Sequence, residues 1–122
     1  MFELKVISHF AAAHRLAMVA KKCENMHGHN WKIETCVGSE NLNNAGVIID
    51  FGEIKNYLAE IIAKLDHTVL NDVGFFRKNN PSSENIAFYI ASELQAIIKT
   101  RDIKVISITA WESEDACAIY IP

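Results

Sequence analysis

Two histidines and a cysteine fall within seven residues of one another in the segment CENMHGHN, Cys23 to Asn30. His27 and His29 are two residues apart, so on a β-strand both rings project from the same face. His14 closes the preceding predicted strand, and pairing of the two strands would bring its ring beside them. Three imidazoles suit zinc and leave a fourth position for water or substrate, as in catalytic zinc sites. The spacing therefore predicts a metal site built from His14, His27 and His29.

Two other arrangements of these residues are open to the sequence. Cys23 could be a fourth ligand, which would close the site and make it structural. Alternatively, the two histidines of HGH could be a chance pair and His14 an ordinary core histidine. Three of the five histidines gathered at one strand pair favour the metal site. Cys23 lies in a polar loop, where a thiol near lysines or a metal ion is readily deprotonated and can act as a base or nucleophile.

Four further acidic or basic residues could do chemistry. Asp66 and His67 follow a predicted helix, and a carboxylate that orients an imidazole produces a general acid or base at neutral pH. The same pair could simply cap the helix end. Glu84 follows PSS at the start of the next helix, where it could do no more than favour the helix dipole. Glu112 follows the apolar run, and by composition alone it is a turn residue. A carboxylate at a strand end inside a pocket could, however, accept two N–H bonds from a planar heterocycle.

The elements that must position these residues are separated by their hydrophobic period. Two-residue alternation predicts strands over residues 2–10 and 27–37. A three-to-four-residue period predicts a helix from Phe51 to Leu65. Asp50 is the predicted cap of this helix, and Glu53 is its capping-box partner. A second helix follows Ser82 or Ser83, with a buried stripe at Ile86, Ala87, Ile90, Leu94 and Ile97. Two β-rich runs, residues 103–111 and 116–122, predict a hairpin. The order β-β-α-α-β-β predicts one α+β domain over residues 1–122, with a four-stranded antiparallel sheet and both helices on one face.

Composition excludes several classes of function. The net charge of −3 and pI near 5.9 argue against nucleic-acid binding, which usually needs a basic excess. No run is long and apolar enough for a membrane span, and the N-terminal residues do not resemble an export signal. We therefore expect a cytoplasmic protein with no membrane partner. Without export, the three cysteines are not a disulfide framework, and Cys36 and Cys117 are interpreted as small buried apolar residues.

Taken together, these motifs resemble the 6-pyruvoyltetrahydropterin synthase family, and in particular its 6-carboxytetrahydropterin synthases of queuosine biosynthesis. The resemblance extends over nearly the whole chain and is carried by FAAAHRL, CENMHGHNW, GVIIDFGEIK, LDHTVLND, PSSENIA and WESEDACAIY, in that order. It implies zinc held by His14, His27 and His29, with Cys23, Asp66 and His67 as catalytic residues. It also implies substrate binding by Glu112, which would anchor a pterin ring, and by Glu84. Ser83 stands where the family usually has threonine, which keeps the hydroxyl.

The resemblance further implies a fold, an assembly and a reaction. The fold is the tunnelling fold, whose subunits close their sheets into a barrel by threes, and two trimers stack into a homohexamer with interfacial active sites. The substrate is 7,8-dihydroneopterin triphosphate, and the products are 6-carboxy-5,6,7,8-tetrahydropterin, acetaldehyde and triphosphate. The three residues between Cys23 and His27 favour this branch. Alternatives are a pyruvoyltetrahydropterin synthase, another zinc lyase or aldolase acting on a pterin, or a non-catalytic zinc-stabilised oligomer that binds a ligand.

Overall fold

A computed structural model of the chain describes residues 1–17, 25–99 and 101–122. Two long strands come first, and two helices and a hairpin follow. The elements are β1 (Phe2–His14), β2 (His27–Ser39), α1 (Phe51–Ala63), β3 (Thr68–Val69), α2 (Ser83–Ile98), β4 (Lys104–Trp111) and β5 (Cys117–Tyr120). The connection between β3 and α2 contains two short 3₁₀ helices, Leu70–Asp72 and Gly74–Arg77.

The sheet has the strand order β3-β1-β2-β4-β5. β1 and β2 pair antiparallel along their whole length, from Phe2 opposite Ser39 to His14 opposite His27. β4 pairs antiparallel with β2 and with β5, so the predicted hairpin is confirmed. The α+β class with two helices is also confirmed, whereas the prediction of four strands was wrong. The fifth strand, β3, runs parallel to β1 and has two residues, too few to show a hydrophobic period.

The core lies between one face of the sheet and the two helices. Alternate residues of β2 supply its centre, and Trp31, Ile33 and Val37 are fully buried. The i, i+4 stripe of α2 is completed by Ile98, while Ile97, predicted to be buried, is 38% exposed at the edge of that stripe. Removing these apolar side chains from water is the main stabilising term of the fold, and it fixes the strand ends that carry the site.

Both predicted helix caps are confirmed. The Asp50 carboxylate accepts from Gly52 N at 2.8 Å, and the Ser82 hydroxyl accepts from Asn85 N at 3.1 Å. The capping-box role predicted for Glu53 is wrong, because its carboxylate instead accepts from Arg101 at 2.7 Å and from the Tyr57 hydroxyl at 2.6 Å. This contact ties α1 to the segment that leads into β4.

The two cysteines in strands differ in burial. Cys36 is buried as predicted, and its thiol donates to Glu3 Oε1 at 3.4 Å. Burial, and then this neighbouring carboxylate, raise the pKa of the Cys36 thiol. Cys117 was predicted to be buried but is exposed, because β5 lies at the edge of the sheet and its alternate residues point to solvent.

In the part of the chain that the structure describes, no helix is long and apolar enough to span a membrane.

Candidate metal and pterin site

The three predicted metal ligands meet at one end of the β1–β2 pair. His14, the last residue of β1, lies opposite His27, the first residue of β2, and His29 lies opposite Ala12 on the same face. The ring centroids are 4.7 Å apart for His14 and His27, 5.2 Å for His14 and His29, and 4.7 Å for His27 and His29. The two-residue spacing and the strand pairing therefore bring the rings together as the sequence predicted.

Backbone carbonyls fix the orientation of two of these rings. His14 Nδ1 lies 2.7 Å from Pro81 O, and His27 Nδ1 lies 2.8 Å from Asn25 O. A carbonyl oxygen only accepts hydrogen bonds, so each Nδ1 carries the proton and each Nε2 keeps its lone pair. This is the usual outer contact of a metal-binding histidine, in which one ring nitrogen donates and the other is directed to the ion. No pattern in the sequence predicted this contact of Pro81 with His14.

Glu112 joins the histidines from the end of β4. Its Oε1 lies 3.1 Å from Nε2 of His14 and 3.1 Å from Nε2 of His29. One ligand atom from each of the four residues lies within 4.8 Å of every other. Ligand atoms around a tetrahedral zinc ion are about 3.4 Å apart, given metal–ligand bonds of about 2.1 Å. The four side chains thus have the chemistry and approximate spacing of a divalent metal site.

The electrostatics of this group also favour a bound cation. Nε2 of His14 is buried and makes no hydrogen bond to the described residues, although Glu112 Oε1 is 3.1 Å away. With its proton on Nδ1, the ring directs a lone pair toward a carboxylate oxygen, and two acceptors at this distance repel unless a positive ion lies between them. A proton or a metal ion would relieve this repulsion, and a metal would satisfy the histidines and Glu112 together. The residues therefore fit the zinc ion that the sequence led us to expect.

Glu112 also lines an open cleft of 580 Å³ together with Asn30, Lys32 and Trp111. Lys32 Nζ lies 5.5 Å from the centroid of the Trp111 ring. The indole Nε1 of Trp111 is buried and has no hydrogen-bond partner among the described residues. Glu112 is thus the residue shared by the metal group and a cleft large enough for a small-molecule ligand.

Asp66 and His67 are fixed to the middle of β1. Ala11 N donates to Asp66 Oδ1 at 2.9 Å, and His67 N donates to Ala11 O at 2.6 Å. The carboxylate lies 2.9 Å from His67 Nδ1, and the Ala11 N–H and then the imidazole hold the pKa of Asp66 below its usual range. His67 has φ of 57°, a left-handed conformation that costs about 1–3 kcal/mol and that surrounding contacts must maintain.

The environment of His67 is open within the single chain. Its side chain is 82% exposed, and that of Asp66 is 38% exposed. His67 and His29 line one shallow depression of 370 Å³ across the Ala11–Ala13 segment. The pair and the metal group therefore lie on neighbouring parts of the same surface.

Two other predicted residues lie apart from the four-residue group. Glu84 is exposed in the first turn of α2 and is not part of it. The α2 start is nevertheless connected to the site, because Pro81 precedes it and accepts from His14. Cys23, the predicted catalytic thiol, lies outside the described residues.

Comparison with known proteins agrees with this geometry. Residues 3–122 match the family described as 6-pyruvoyl tetrahydropterin synthase. A protein of Archaeoglobus fulgidus provisionally named 6-carboxy-5,6,7,8-tetrahydropterin synthase is 37% identical over 109 residues, which cover 89% of this chain and 86% of that protein. The 6-carboxy-5,6,7,8-tetrahydropterin synthase of Rickettsia typhi is 30% identical over 102 residues, 70% of this chain and 74% of its own.

Solved structures show the same fold. The 6-pyruvoyl tetrahydropterin synthase of Caenorhabditis elegans superposes with a TM-score of 0.87 at 23% identity, covering 99% of this chain and 95% of that one. The Plasmodium vivax 6-pyruvoyltetrahydropterin synthase gives a TM-score of 0.77 at 24% identity, over 98% and 96% of the two chains. The sequence match over almost the whole chain and the shared fold lead to one conclusion: this chain belongs to the 6-pyruvoyl tetrahydropterin synthase family.

Proposed function

We propose that the protein is a zinc-dependent 6-carboxy-5,6,7,8-tetrahydropterin synthase, a carbon–carbon lyase. It would convert 7,8-dihydroneopterin triphosphate and water to 6-carboxy-5,6,7,8-tetrahydropterin, acetaldehyde and triphosphate. The observation that carries the proposal is that the rings of His14, His27 and His29 converge on one point, with Glu112 beside them at the edge of a cleft. The names of the relatives from Archaeoglobus fulgidus and Rickettsia typhi support this branch of the family.

Glu112 anchors the pterin in this proposal. The amino group and the adjacent ring N–H of a pterin form a planar pair of donors, which one carboxylate can accept together. The 580 Å³ cleft beside Glu112 has room for the bicyclic ring, and it is lined by Trp111, whose buried Nε1 has no hydrogen-bond partner among the described residues. Glu84, at the start of α2, would make a further contact with the substrate. Glu112 also lies beside two histidines, so the proposed pterin cleft and the metal group adjoin each other.

Proton transfer is assigned to Cys23, Asp66 and His67. Cys23, as the thiolate, takes the carbon-bound proton of the substrate side chain, and His67 returns protons. Asp66 accepts at His67 Nδ1 and so leaves Nε2 of that ring for the substrate. Zinc, held by His14, His27 and His29, would polarise the side-chain oxygens of the substrate as a Lewis acid.

The exposure of His67 supports an oligomeric site. A general acid or base operates best where water is excluded, yet 82% of this side chain faces solvent in the single chain. Covering by a second subunit would bury it. We therefore propose the homohexamer of two stacked trimers, acting in the cytoplasm on a product destined for queuosine biosynthesis, with Cys23 and His67 of one site contributed by different chains.

A product assay tests the function. The purified protein, loaded with zinc, is incubated with 7,8-dihydroneopterin triphosphate, and acetaldehyde and the pterin product are measured. We expect stoichiometric acetaldehyde. A diketo pterin formed without acetaldehyde would identify a pyruvoyltetrahydropterin synthase instead. If the zinc-loaded protein consumes no more substrate than a metal-stripped control, the protein is a ligand-binding protein and not an enzyme of this kind.

A matched pair of cysteine variants separates catalysis from structure. Cys23→Ala should lower turnover by about 10²-fold or more with zinc content unchanged, because it removes the base and not a ligand. Cys117→Ala, at an exposed position of β5, should leave turnover unchanged. Loss of zinc in Cys23→Ala would instead identify Cys23 as a fourth ligand of a structural site.

A further inference from the structure

A second cleft, next to the metal group, is lined by cations. Its volume is 460 Å³, and its charged lining residues are Arg15, Arg77 and Lys78. The side chains of Asn71 and Asn80 also line it, and no carboxylate of the described residues does. In a chain with net charge −3, this concentration of positive charge indicates an anionic ligand.

Among the described residues, these three cations have no ion-pair partner, whereas several other cations do. Lys64 lies 2.9 Å from Glu93 and Arg101 lies 2.7 Å from Glu53, whereas none of the described carboxylates lies within 4.0 Å of Arg15, Arg77 or Lys78. The Nε of Arg77 donates to a backbone carbonyl, that of Asp72, at 3.4 Å. That contact orients the guanidinium and leaves its two terminal nitrogens to bind an anion.

Two asparagine side chains hold the backbone on which Arg15 stands. Asn71 accepts from Arg15 N at 3.0 Å and donates to Arg15 O at 2.9 Å. Asn80 accepts from Ala17 N at 3.0 Å and donates to Ala17 O at 2.7 Å. The two amides thus bond alternate residues as a neighbouring strand would. Because this backbone is fixed before any ligand arrives, less conformational entropy is lost on binding.

The cleft adjoins the metal group through two segments of the chain. Arg15 directly follows His14, and Asn80 directly precedes Pro81, whose carbonyl accepts from His14 Nδ1 at 2.7 Å. Consecutive Cα atoms are about 3.8 Å apart, so the cleft and the metal group are adjacent. A substrate whose side chain lies at the histidines could therefore extend its terminal groups into the cleft.

We infer that Arg15, Arg77 and Lys78 form the subsite for the triphosphate of the pterin substrate. The inference rests on the proposed function. Two planar guanidinium groups and one ammonium group can bind successive phosphates by charge-assisted hydrogen bonds. The subsite holds the leaving group while the pterin ring lies at Glu112, so the reacting side chain is fixed at both ends. It also selects phosphorylated pterins over the free pterin alcohol.

The test compares the double variant Arg77→Ala/Lys78→Ala with Lys55→Ala, which removes an exposed cation from α1 outside both clefts. The double variant should raise the KM for 7,8-dihydroneopterin triphosphate at least about tenfold, as expected for the loss of charge-assisted phosphate contacts. Inorganic triphosphate should inhibit the wild type competitively, and its inhibition constant should rise equally. The affinity for unphosphorylated 7,8-dihydroneopterin and the zinc content should stay within about twofold, and Lys55→Ala should match the wild type in every measurement.

Unchanged KM and inhibition constants in the double variant would overturn the subsite while leaving the proposed function intact. Non-competitive inhibition by triphosphate would also overturn it, because the anion would then occupy a separate site. If the wild type consumes no pterin triphosphate, the proposed function fails, and calorimetry with inorganic triphosphate decides the cleft independently. Binding that disappears in the double variant supports a polyphosphate site there, and binding that persists excludes it.

Discussion

Glu112 Oε1 lies 3.1 Å from Nε2 of His14, closer to the metal group than a residue that only anchors substrate needs to be. A carboxylate in this position could be a fourth metal ligand or the anchor of the pterin ring. We assign the anchoring role, because three imidazoles already form a catalytic ligand set and the same carboxylate borders the 580 Å³ cleft. The two roles make different predictions for one substitution.

Glu112→Gln should weaken pterin binding and spare the metal. The amide keeps the shape of the side chain but can accept only through one oxygen, so the paired charge-assisted bonds are lost and affinity falls about tenfold or more. Zinc per chain should be unchanged. Fluorescence titration with a dihydropterin and metal analysis measure the two quantities. Zinc loss comparable with that of a histidine variant would make Glu112 a ligand.

His27→Ala should remove the metal while the fold persists. His27 is only partly buried, and its ring bonds within its own segment to Asn25 O, so its loss opens no cavity in the core. With two imidazoles left, zinc affinity should fall by about 10²-fold or more. His9→Ala is the matched control for zinc alone, because His9 is exposed on β1 and outside the four-residue group, although it lines the 580 Å³ cleft. Equal zinc affinity in the two variants, measured by competition with a chelator, would contradict the assigned ligands.

The sequence predicted the parts of the site that depend on local pattern. The His27–His29 spacing and the apolar alternation that follows it set the face of β2, and the Asp50 and Ser82 caps set the helix starts. The position of Glu112 beside the histidines could not be predicted, because it depends on the register between β2 and β4. In that pair Lys32 lies opposite Trp111, and the register shifts between Cys36 and Val37. That pairing comes from packing of the whole sheet and has no signal in a single strand.

The contacts between distant segments were missed for the same reason. Asn71 and Asn80 bond to Arg15 and Ala17 across more than fifty residues of chain, and Pro81 bonds to His14 in the same way. Asparagine before a proline or within a polar connection usually indicates only a turn. The hydrogen bonds of the Asn71 and Asn80 side chains to a distant backbone can be identified only after the fold has brought the two segments together.

Asp66→Asn should change the acid dependence of stability. The pKa of Asp66 is held down in the folded protein by the Ala11 N–H and then by His67, so the charged carboxylate stabilises the fold above its unfolded pKa of about 3.9. This contribution is lost as the pH falls through the lower folded pKa. The wild type should therefore be the more stable protein at neutral pH, with the difference shrinking below about pH 4.

The measurement is the free energy of urea unfolding for both proteins from neutral pH into the acid range. Asp115→Asn, in the exposed turn before β5, is the control and should follow the wild type throughout. A difference between wild type and Asp66→Asn that grows toward acid would reverse the sign and exclude the assigned contact.

Ser82→Ala should destabilise α2 by about 1 kcal/mol, because the hydroxyl satisfies the N–H of Asn85 at 3.1 Å. The effect should appear in the free energy of unfolding with zinc content unchanged. Ser83→Ala, one residue into the helix, removes a hydroxyl that makes no capping bond and should cost less. Equal losses in the two variants would show that the hydroxyl of Ser82 contributes nothing specific as a cap.

Mixing two inactive variants tests whether Cys23 and His67 of one site belong to different chains. Cys23→Ala and His67→Ala should each be nearly inactive as pure oligomers. After unfolding together in equal amounts and refolding, a site that takes Cys23 from one subunit and His67 from its neighbour receives both intact residues with a probability of about one quarter. Activity should therefore recover to about a quarter of that of the wild type treated identically. A site contained within one chain would never contain both residues, so the mixture would remain inactive, and the 82% exposure of His67 would then have to be reconciled with catalysis inside a single subunit.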